Sequence, residues 1–181
     1  MQIRMNGDEL KKLMCALSKD KSREILHCIH IERNGDNVEF TTTDGGSLMM
    51  FSRPISVYGD EVPEDFKISF DLTNFKINDK HIYHLIEEEG KLFFIGPDYK
   101  VEILPNSLPF PNYHLLLGGF EKFPVAKDFT LFSERQLKIL FKVFSTFDNL
   151  EPLTQGPKNP HFWRRSAGEA FWVVVLMPIR F

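Results

Sequence analysis

Cysteine and tryptophan are scarce in this sequence of 181 residues, at two each, and tyrosine follows at four. Cys15 and Cys28 lie in apolar surroundings with no CxxC spacing, which excludes a disulfide scaffold and reads as two buried thiols in a reducing compartment. Long apolar runs are missing too. Arg4, Asp8, Glu9, Lys11 and Lys12 interrupt the start, so it does not read as a signal peptide, and the late run Ala170 to Pro178 is too short to span a bilayer. The expectation is a cytoplasmic protein with no membrane partner. Neither sign of charge dominates: 22 Lys and Arg meet 25 Asp and Glu for a net charge of -3. That excludes a histone-like binder basic over its whole surface but leaves room for one basic face. Catalytic signatures are absent as well, with no nucleophile elbow, zinc-protease helix or kinase motif. Asp44-Gly45-Gly46 lacks the spacing and the Lys of a phosphate-binding loop and reads as a turn. The chain therefore reads as non-catalytic, without a cofactor.

What is present is the composition of an ordinary globular protein, 43% hydrophobic and 26% charged. At this length about 70% of the unfolded surface can be buried on folding. The 18 Phe lean the chain toward sheet, and 11 Gly and 11 Pro supply its turns.

Along the chain, Gln2 to Met5 alternates as a strand, and Leu10, Leu13, Met14 and Leu17 then share one helical face with Lys11 and Lys12 off it. Ile25, Ile29 and Ile31 fall to a strand, Val38 to Thr42 returns, and Ser47 to Ile55 runs out again before the acidic link Asp60 to Asp65. A looser second copy follows: a strand through Phe66, Ile68 and Phe70, a helical candidate at Leu72 to Lys76, and strands at Lys91 to Ile95 and Tyr99 to Leu104. A third opens with a strand at Phe129 to Phe132 and a helix whose apolar face is Leu137, Leu140, Phe141 and Phe144, opposite Arg135, Lys138 and Lys142. The stretch Asn149 to Pro160 is irregular, and strands are expected at His161 to Arg164 and Phe171 to Leu176.

The chain is thus predicted to be α+β, three copies of one βαβββ unit of roughly 45 to 60 residues each. Two units pair into a complete domain. The third has no internal mate, and its open sheet edge calls for cover by a second chain, with Trp163 and Trp172 as interface anchors. A homo-oligomer is the expectation. No metal site is expected: His27 and His30 on one strand point to opposite faces, and His81 and His84, able to share a helix face, find no third ligand.

Several motifs carry a resemblance. Arg23-Glu24-Ile25-Leu26-His27-Cys28-Ile29-His30-Ile31-Glu32, Thr43-Asp44-Gly45-Gly46-Ser47-Leu48, Ser52-Arg53-Pro54-Ile55 and Phe110-Pro111-Asn112-Tyr113 resemble the middle domain of the bacterial DNA polymerase III beta subunit, or sliding clamp, family. Val174-Val175-Leu176-Met177-Pro178-Ile179-Arg180-Phe181 is similar to that family's closing segment. A family clamp has three complete domains. This chain resembles one and a half: residues 1–120 answer to the middle domain, and residues 121–181 to the C-terminal half of the last.

The resemblance implies a DNA clamp-like fold and a non-catalytic replication and processivity factor. It also implies a groove for the clamp-binding peptides of polymerases or repair proteins, between the two surviving pieces. One wall would be Leu26, Thr43, Gly45 and Leu48, with Pro111 and Leu116 below, and the other Val175, Met177, Pro178 and Ile179. Gly46 and Ser47 stand where the family often has larger polar residues, and Leu115 where it has a basic one. Double-stranded DNA, held through phosphates without base readout, is the second implied partner, with Lys11, Lys12, Arg135, Lys138 and Lys142 facing it and acids such as Asp60, Glu61, Glu64, Asp65 and Glu87 to Glu89 outside. The same basic residues are also what any solvated amphipathic helix shows. Two chains would supply six units and four would supply twelve, the number in a family ring. The alternative is a monomeric interaction module, such as a phage or mobile-element decoy, that takes clamp-binding peptides and leaves DNA alone.

Overall fold

The computed structural model describes residues 1–20, 22–127, 130–144 and 152–179. Its first unit is β1 (Gln2–Asn6), α1 (Gly7–Met14), a 3₁₀ turn (Glu24–His27), β2 (Cys28–Asn34), β3 (Asn37–Thr43) and β4 (Ser47–Pro54). A single turn, α2 (Ile55–Tyr58), leads to the second unit: β5 (Lys67–Asp71), β6 (Ile82–Glu88), β7 (Lys91–Gly96) and β8 (Tyr99–Ile103). A connector carrying α3 (Tyr113–Leu117) and a 3₁₀ turn (Phe120–Lys122) reaches α4 (Glu134–Val143), β9 (His161–Ala167) and β10 (Ala170–Leu176). Among the described residues no helix is long and apolar enough to cross a membrane.

The strands form two antiparallel sheets, β1-β6-β7-β8 and β5-β2-β3-β4-β10-β9. The first two units exchange their opening strands: β1 pairs with β6 of the second unit, and β5 pairs with β2 of the first. The third unit adds β10 along β4, Val175 opposite Leu48 and Trp172 opposite Phe51. One core unites both sheets with the apolar sides of α1 and α4, through Ile3, Leu10, Leu13, Phe51, Phe70, Phe94, Leu140 and Trp172. A smaller core lies on the opposite face of the six-stranded sheet, under the connector.

Local chemistry explains the element ends. The Glu9 carboxylate accepts from both the backbone N–H and the side-chain amide of Asn6, which fixes the start of α1. Gly7 is required there because a Cβ would lie 1.8 Å from the Asn78 carbonyl oxygen. Ser133 and Gln136 form the reciprocal capping box of α4.

Several expectations need correction. Ile25 belongs to the 3₁₀ turn before β2 rather than to the strand. Leu72 to Lys76 is not helical, because the Asp71 carboxylate accepts from the Thr73 N–H, the Thr73 hydroxyl and the Asn74 amide, bonds that compete with a helix. Strand β6 was missed, and with it His84 lies on a strand and shares no helix face with His81. The buried face of α4 is Gln136, Ile139, Leu140 and Val143, one residue out of phase with the predicted stripe, and Phe141 is 44% exposed. Trp163 and Trp172 are core residues of this chain, Trp172 stacked on Phe51 at 4.6 Å. Met14 and Cys15 are half-buried. Phe129 and Asn149 to Glu151 fall outside the described residues, as do Arg180 and Phe181, and Thr130 to Phe132 forms no strand.

Asp60 is not an outward acid. Its carboxylate lies 2.9 Å from the Arg53 guanidinium, the two side chains 1% and 0% exposed, and it accepts from the Arg4 backbone N–H at 2.9 Å. Arg53 also donates to the Arg4 carbonyl and stands 5.2 Å over the Phe40 ring. The pair thereby ties the end of β4 to β1. A buried charge stripped of its partner is costly, whereas an apolar pair of similar volume is often tolerated. Asp60→Ala or Arg53→Ala should each lower unfolding free energy by about 3–5 kcal/mol, and Arg53→Met with Asp60→Leu should cost less than either; urea denaturation of the three variants checks the order.

Candidate functional site

Strand β4 is apolar on both faces, as a central strand covered on both sides must be. Met49 and Phe51 point into the main core, and Leu48 and Met50 point the other way. Pairing aligns Thr43, Leu48, Val175 and Phe162 as a single cross-strand row on β3, β4, β10 and β9. The row is nearly closed to solvent, Leu48 at 5% and Val175 at 1%. Tyr113, Phe120, Leu116 and Leu117 of the connector pack over it.

Beside the row, the turn after β3 and the segment after β10 are bound to each other. The Asp44 carboxylate accepts from the N–H groups of Gly46 and Ser47, and Gly45 takes a positive φ of 88°. The Met177 N–H donates to the Gly46 carbonyl at 2.9 Å, and the Ile179 N–H to the Leu131 carbonyl at 3.1 Å. Gln136, 9% exposed, completes the joint: its amide nitrogen donates to the Gly46 carbonyl at 3.0 Å and the Met177 carbonyl at 2.7 Å, while its oxygen accepts from the Ser133 N–H. Every bonding position of that amide is engaged except one lone pair.

The ten predicted groove residues do not surround one cavity. Thr43, Leu48 and Val175 form the row, with Leu116 packed on its core. Met177, Pro178 and Ile179 line a shallow cavity of about 400 Å³ with Gly46, Ser47 and Gln136. Leu116 lines a separate one of about 290 Å³ with Leu115, Phe123 and Phe162. A Cβ on Gly45 would be 3.8 Å from the Leu26 side chain, so these two adjoin at the turn. Pro111 lines a third cavity, with His30 and Glu32. Gln136 was missed as a site residue, although the Ser133-to-Gln136 spacing of a capping box was legible.

The other half of the same sheet face is polar. Glu32 on β2 stands opposite Glu39 on β3, and the Tyr113 hydroxyl lies between the two carboxylates, 2.8 Å from Glu39. His114 hydrogen-bonds Glu32, and His30 reaches its other oxygen at 3.3 Å while bonding Ser69 at 2.8 Å. Phe110 stacks on His30 at 4.7 Å. Burial pushes the Glu32 carboxyl up, but the bonds from His30, Tyr113 and His114 outweigh it and pull the pKa down to about 2. Burial and the Glu39 charge push the Tyr113 hydroxyl far up, so it remains a donor. This network holds the connector to the sheet. Its members come from three separate stretches of sequence, residues 30–39, Ser69 and residues 110–114, and only the fold brings them together.

Of the five predicted DNA-facing residues, Arg135, Lys138 and Lys142 line a cleft of about 530 Å³ with Leu17, Lys19 and Ile139, whereas Lys11 and Lys12 do not. Four of the five are within ion-pair distance of an acid of this chain: Lys11 with Asp79 at 3.6 Å, Lys12 with Asp8 at 2.6 Å, Arg135 with Asp44 at 3.1 Å and Lys138 with Glu134 at 2.5 Å.

No protein-family model matches the chain. Over 55 residues, 30% of this chain and 14% of the other, it is 33% identical to the beta sliding clamp of Synechocystis sp.. Among solved structures it is similar to the DNA polymerase III beta subunit of Thermotoga maritima, with a TM-score of 0.67 at 10% identity over 100% of this chain and 66% of that one. The sliding clamp of Pseudomonas aeruginosa bound to griselimycin gives 0.62 at 11%, over 100% and 66%. The PCNA of A. fulgidus bound to the C-terminal region of FEN-1 gives 0.61 at 14%, over 99% and 98%. The chain spans about two thirds of the length of these bacterial clamps. The likeness shows the fold: this is an α+β sliding-clamp fold.

Because the Gln136 amide joins α4, the turn and the closing segment, Gln136→Leu should lower stability by roughly 1–3 kcal/mol, the cost of buried polar groups left unbonded. Amide exchange at Met177 and Ile179 should quicken more than at Val174; equal protection in variant and parent would mean the amide is not what holds the segment.

Proposed function

We propose that this protein is a sliding-clamp-like processivity factor, or a reduced derivative of one, and that it works by binding clamp-binding peptides rather than by catalysis. The observation that carries the reading is the joining of β4 to β10, which brings Thr43, Leu48 and Val175 into one row and Met177 against Gly46. In this reading residues 1–120 act as a clamp-like domain and residues 121–181 as a half-domain, with the groove along their seam. Its chemistry suits a peptide: half-buried Leu116 and Met177 are adaptable apolar contacts, and exposed Ile179 lines the same cavity as Met177. Two of the similar solved structures support the reading by their own ligands, a FEN-1 C-terminal region on PCNA and griselimycin on a bacterial clamp.

Encirclement of DNA by several copies is the further part of the proposal, with Arg135, Lys138 and Lys142 toward the phosphates. A second reading, a monomeric module that takes peptides without DNA, is favoured by the acids already beside four of the five candidate cations.

Fluorescence anisotropy with a labelled clamp-binding peptide tests the groove. Met177→Ala and Leu116→Ala, both at half-buried positions, should each weaken binding roughly tenfold, about 1.4 kcal/mol; unchanged affinity in both would remove the groove. Light scattering with circular DNA separates the two readings. Retention of an oligomer on circles and its release on cutting supports encirclement, and a DNA-indifferent monomer supports the peptide module.

A further inference from the structure

The two open sheets end on the edge strands β1, β8, β5 and β9, and the outward backbone groups of an edge call for partners. On β1 they are engaged: Gln2 exchanges bonds with Glu61, the Arg4 N–H donates to the Asp60 carboxylate, and the Arg4 carbonyl accepts from Arg53. On β5 the Ser69 carbonyl accepts from the Asn106 N–H at 2.7 Å, and on β9 Phe162 exchanges bonds with Leu153. Strand β8 differs, because among the described residues no hydrogen bond reaches the backbone of its outer edge. The tight turns at Glu89-Gly90 and Pro97-Asp98 set the phase of the ladder, so Tyr99, Val101 and Ile103 bond to β7. Lys100 and Glu102 therefore turn their N–H and C=O groups outward. Val101 is 41% exposed, although Tyr99 and Ile103 on the same face belong to the core.

We propose that β8 is a self-association edge: two copies pair β8 with β8, antiparallel about a two-fold axis at Val101, and join their four-stranded sheets into one. In this register Lys100 of each copy faces Glu102 of the other. These are the residues whose backbones point outward, so each facing couple can exchange both of its hydrogen bonds. Val101 then faces Val101 in the wide kind of pair, where Cα atoms approach to about 4.5 Å and side chains lie closest. Charge selects the register, since moving the axis by one residue sets Lys100 against Lys100 or Glu102 against Glu102. Within one chain Lys100 pairs with Glu88 on the outer face of the sheet, and Glu102 with Lys91 at 3.0 Å. Pairing links them into a run of alternating charge across the axis, Glu88 and Lys100 of one copy followed by Glu102 and Lys91 of the other. The free half of β9 is a poorer partner: with Arg164 opposite Glu102, Arg165 would face the apolar Val101, and Arg164 already pairs with Glu121. An isologous pair closes at two copies, so this contact stands apart from both the peptide groove and any ring.

Sedimentation equilibrium of the full chain over a concentration series should show a reversible monomer–dimer equilibrium. Lys100→Glu and Glu102→Lys, at side chains each 43% exposed, spare the fold and set like charges opposite each other twice. Each should raise the dimer dissociation constant roughly tenfold or more. Mixed in equal amounts, the two variants should regain the parent's affinity as a heterodimer, because an acidic edge then meets a basic one. Val101→Cys should give a disulfide-linked dimer under mild oxidation, whereas the parent chain, with Cys15 and Cys28 alone, should not. A monomer at every concentration overturns the proposal, as does a dimer that both charge variants leave unchanged or that mixing fails to restore. Cross-linking of Val101→Cys to Arg165→Cys in place of itself assigns the edge to β9 and overturns it equally.

Discussion

The antiparallel pairing of β10 with β4 is the interaction on which the rest depends. Without it β4 would end the sheet, and its four apolar residues from Leu48 to Phe51 would have a partner on one edge only. With it, α4 is brought beside α1, and Ile139 and Leu140 enter the same core as Leu10 and Leu13. The same pairing puts Val173 and Val175 on the opposite face, where they give the connector something apolar to lie on. One ladder of hydrogen bonds therefore sets both layers.

The connector is held by two kinds of force that meet at a single side chain. The ring of Tyr113 packs with Leu48, Met50 and Phe162, and its hydroxyl joins Glu32 and Glu39. Apolar contact alone would let α3 slide along the row. The hydroxyl adds direction, since a hydrogen bond fixes one position where hydrophobic burial tolerates many. Asn106 adds a second fixed point through its N–H to the Ser69 carbonyl.

Much of the fold was legible because period and punctuation are local. The runs Val38 to Thr42 and Ser47 to Ile55 on either side of the turn residues Asp44-Gly45-Gly46 mark a hairpin, and the α+β class follows from such stretches together with the helix at Leu10. The errors have physical reasons. Gln136 misled the phase of α4 because a polar residue was kept off the apolar stripe, yet a fully bonded amide can be buried. Asp60 looked like surface charge because its partner is on a strand seven residues away in sequence, and nothing local announces that Arg53 turns inward. The candidate groove was legible only by resemblance: continuous apolar runs explain why Leu48 and Val175 are buried, but the register that makes them neighbours belongs to a non-local ladder. The cluster of Glu32, Glu39 and His114 was invisible for the same reason.

Joining strands at residues 47–54 and 170–176 sets the largest chain separation in the six-stranded sheet, and that choice has a kinetic side. Loop-closure entropy is met before such contacts return anything, so β2, β3 and β4 can form as a local meander long before β10 arrives. Until then Leu48 to Phe51 is a short, uncharged, β-prone segment with one open edge, the kind of template that pairs with the wrong chain. The seam that unites the molecule when folded is thus its most exposed point while it folds.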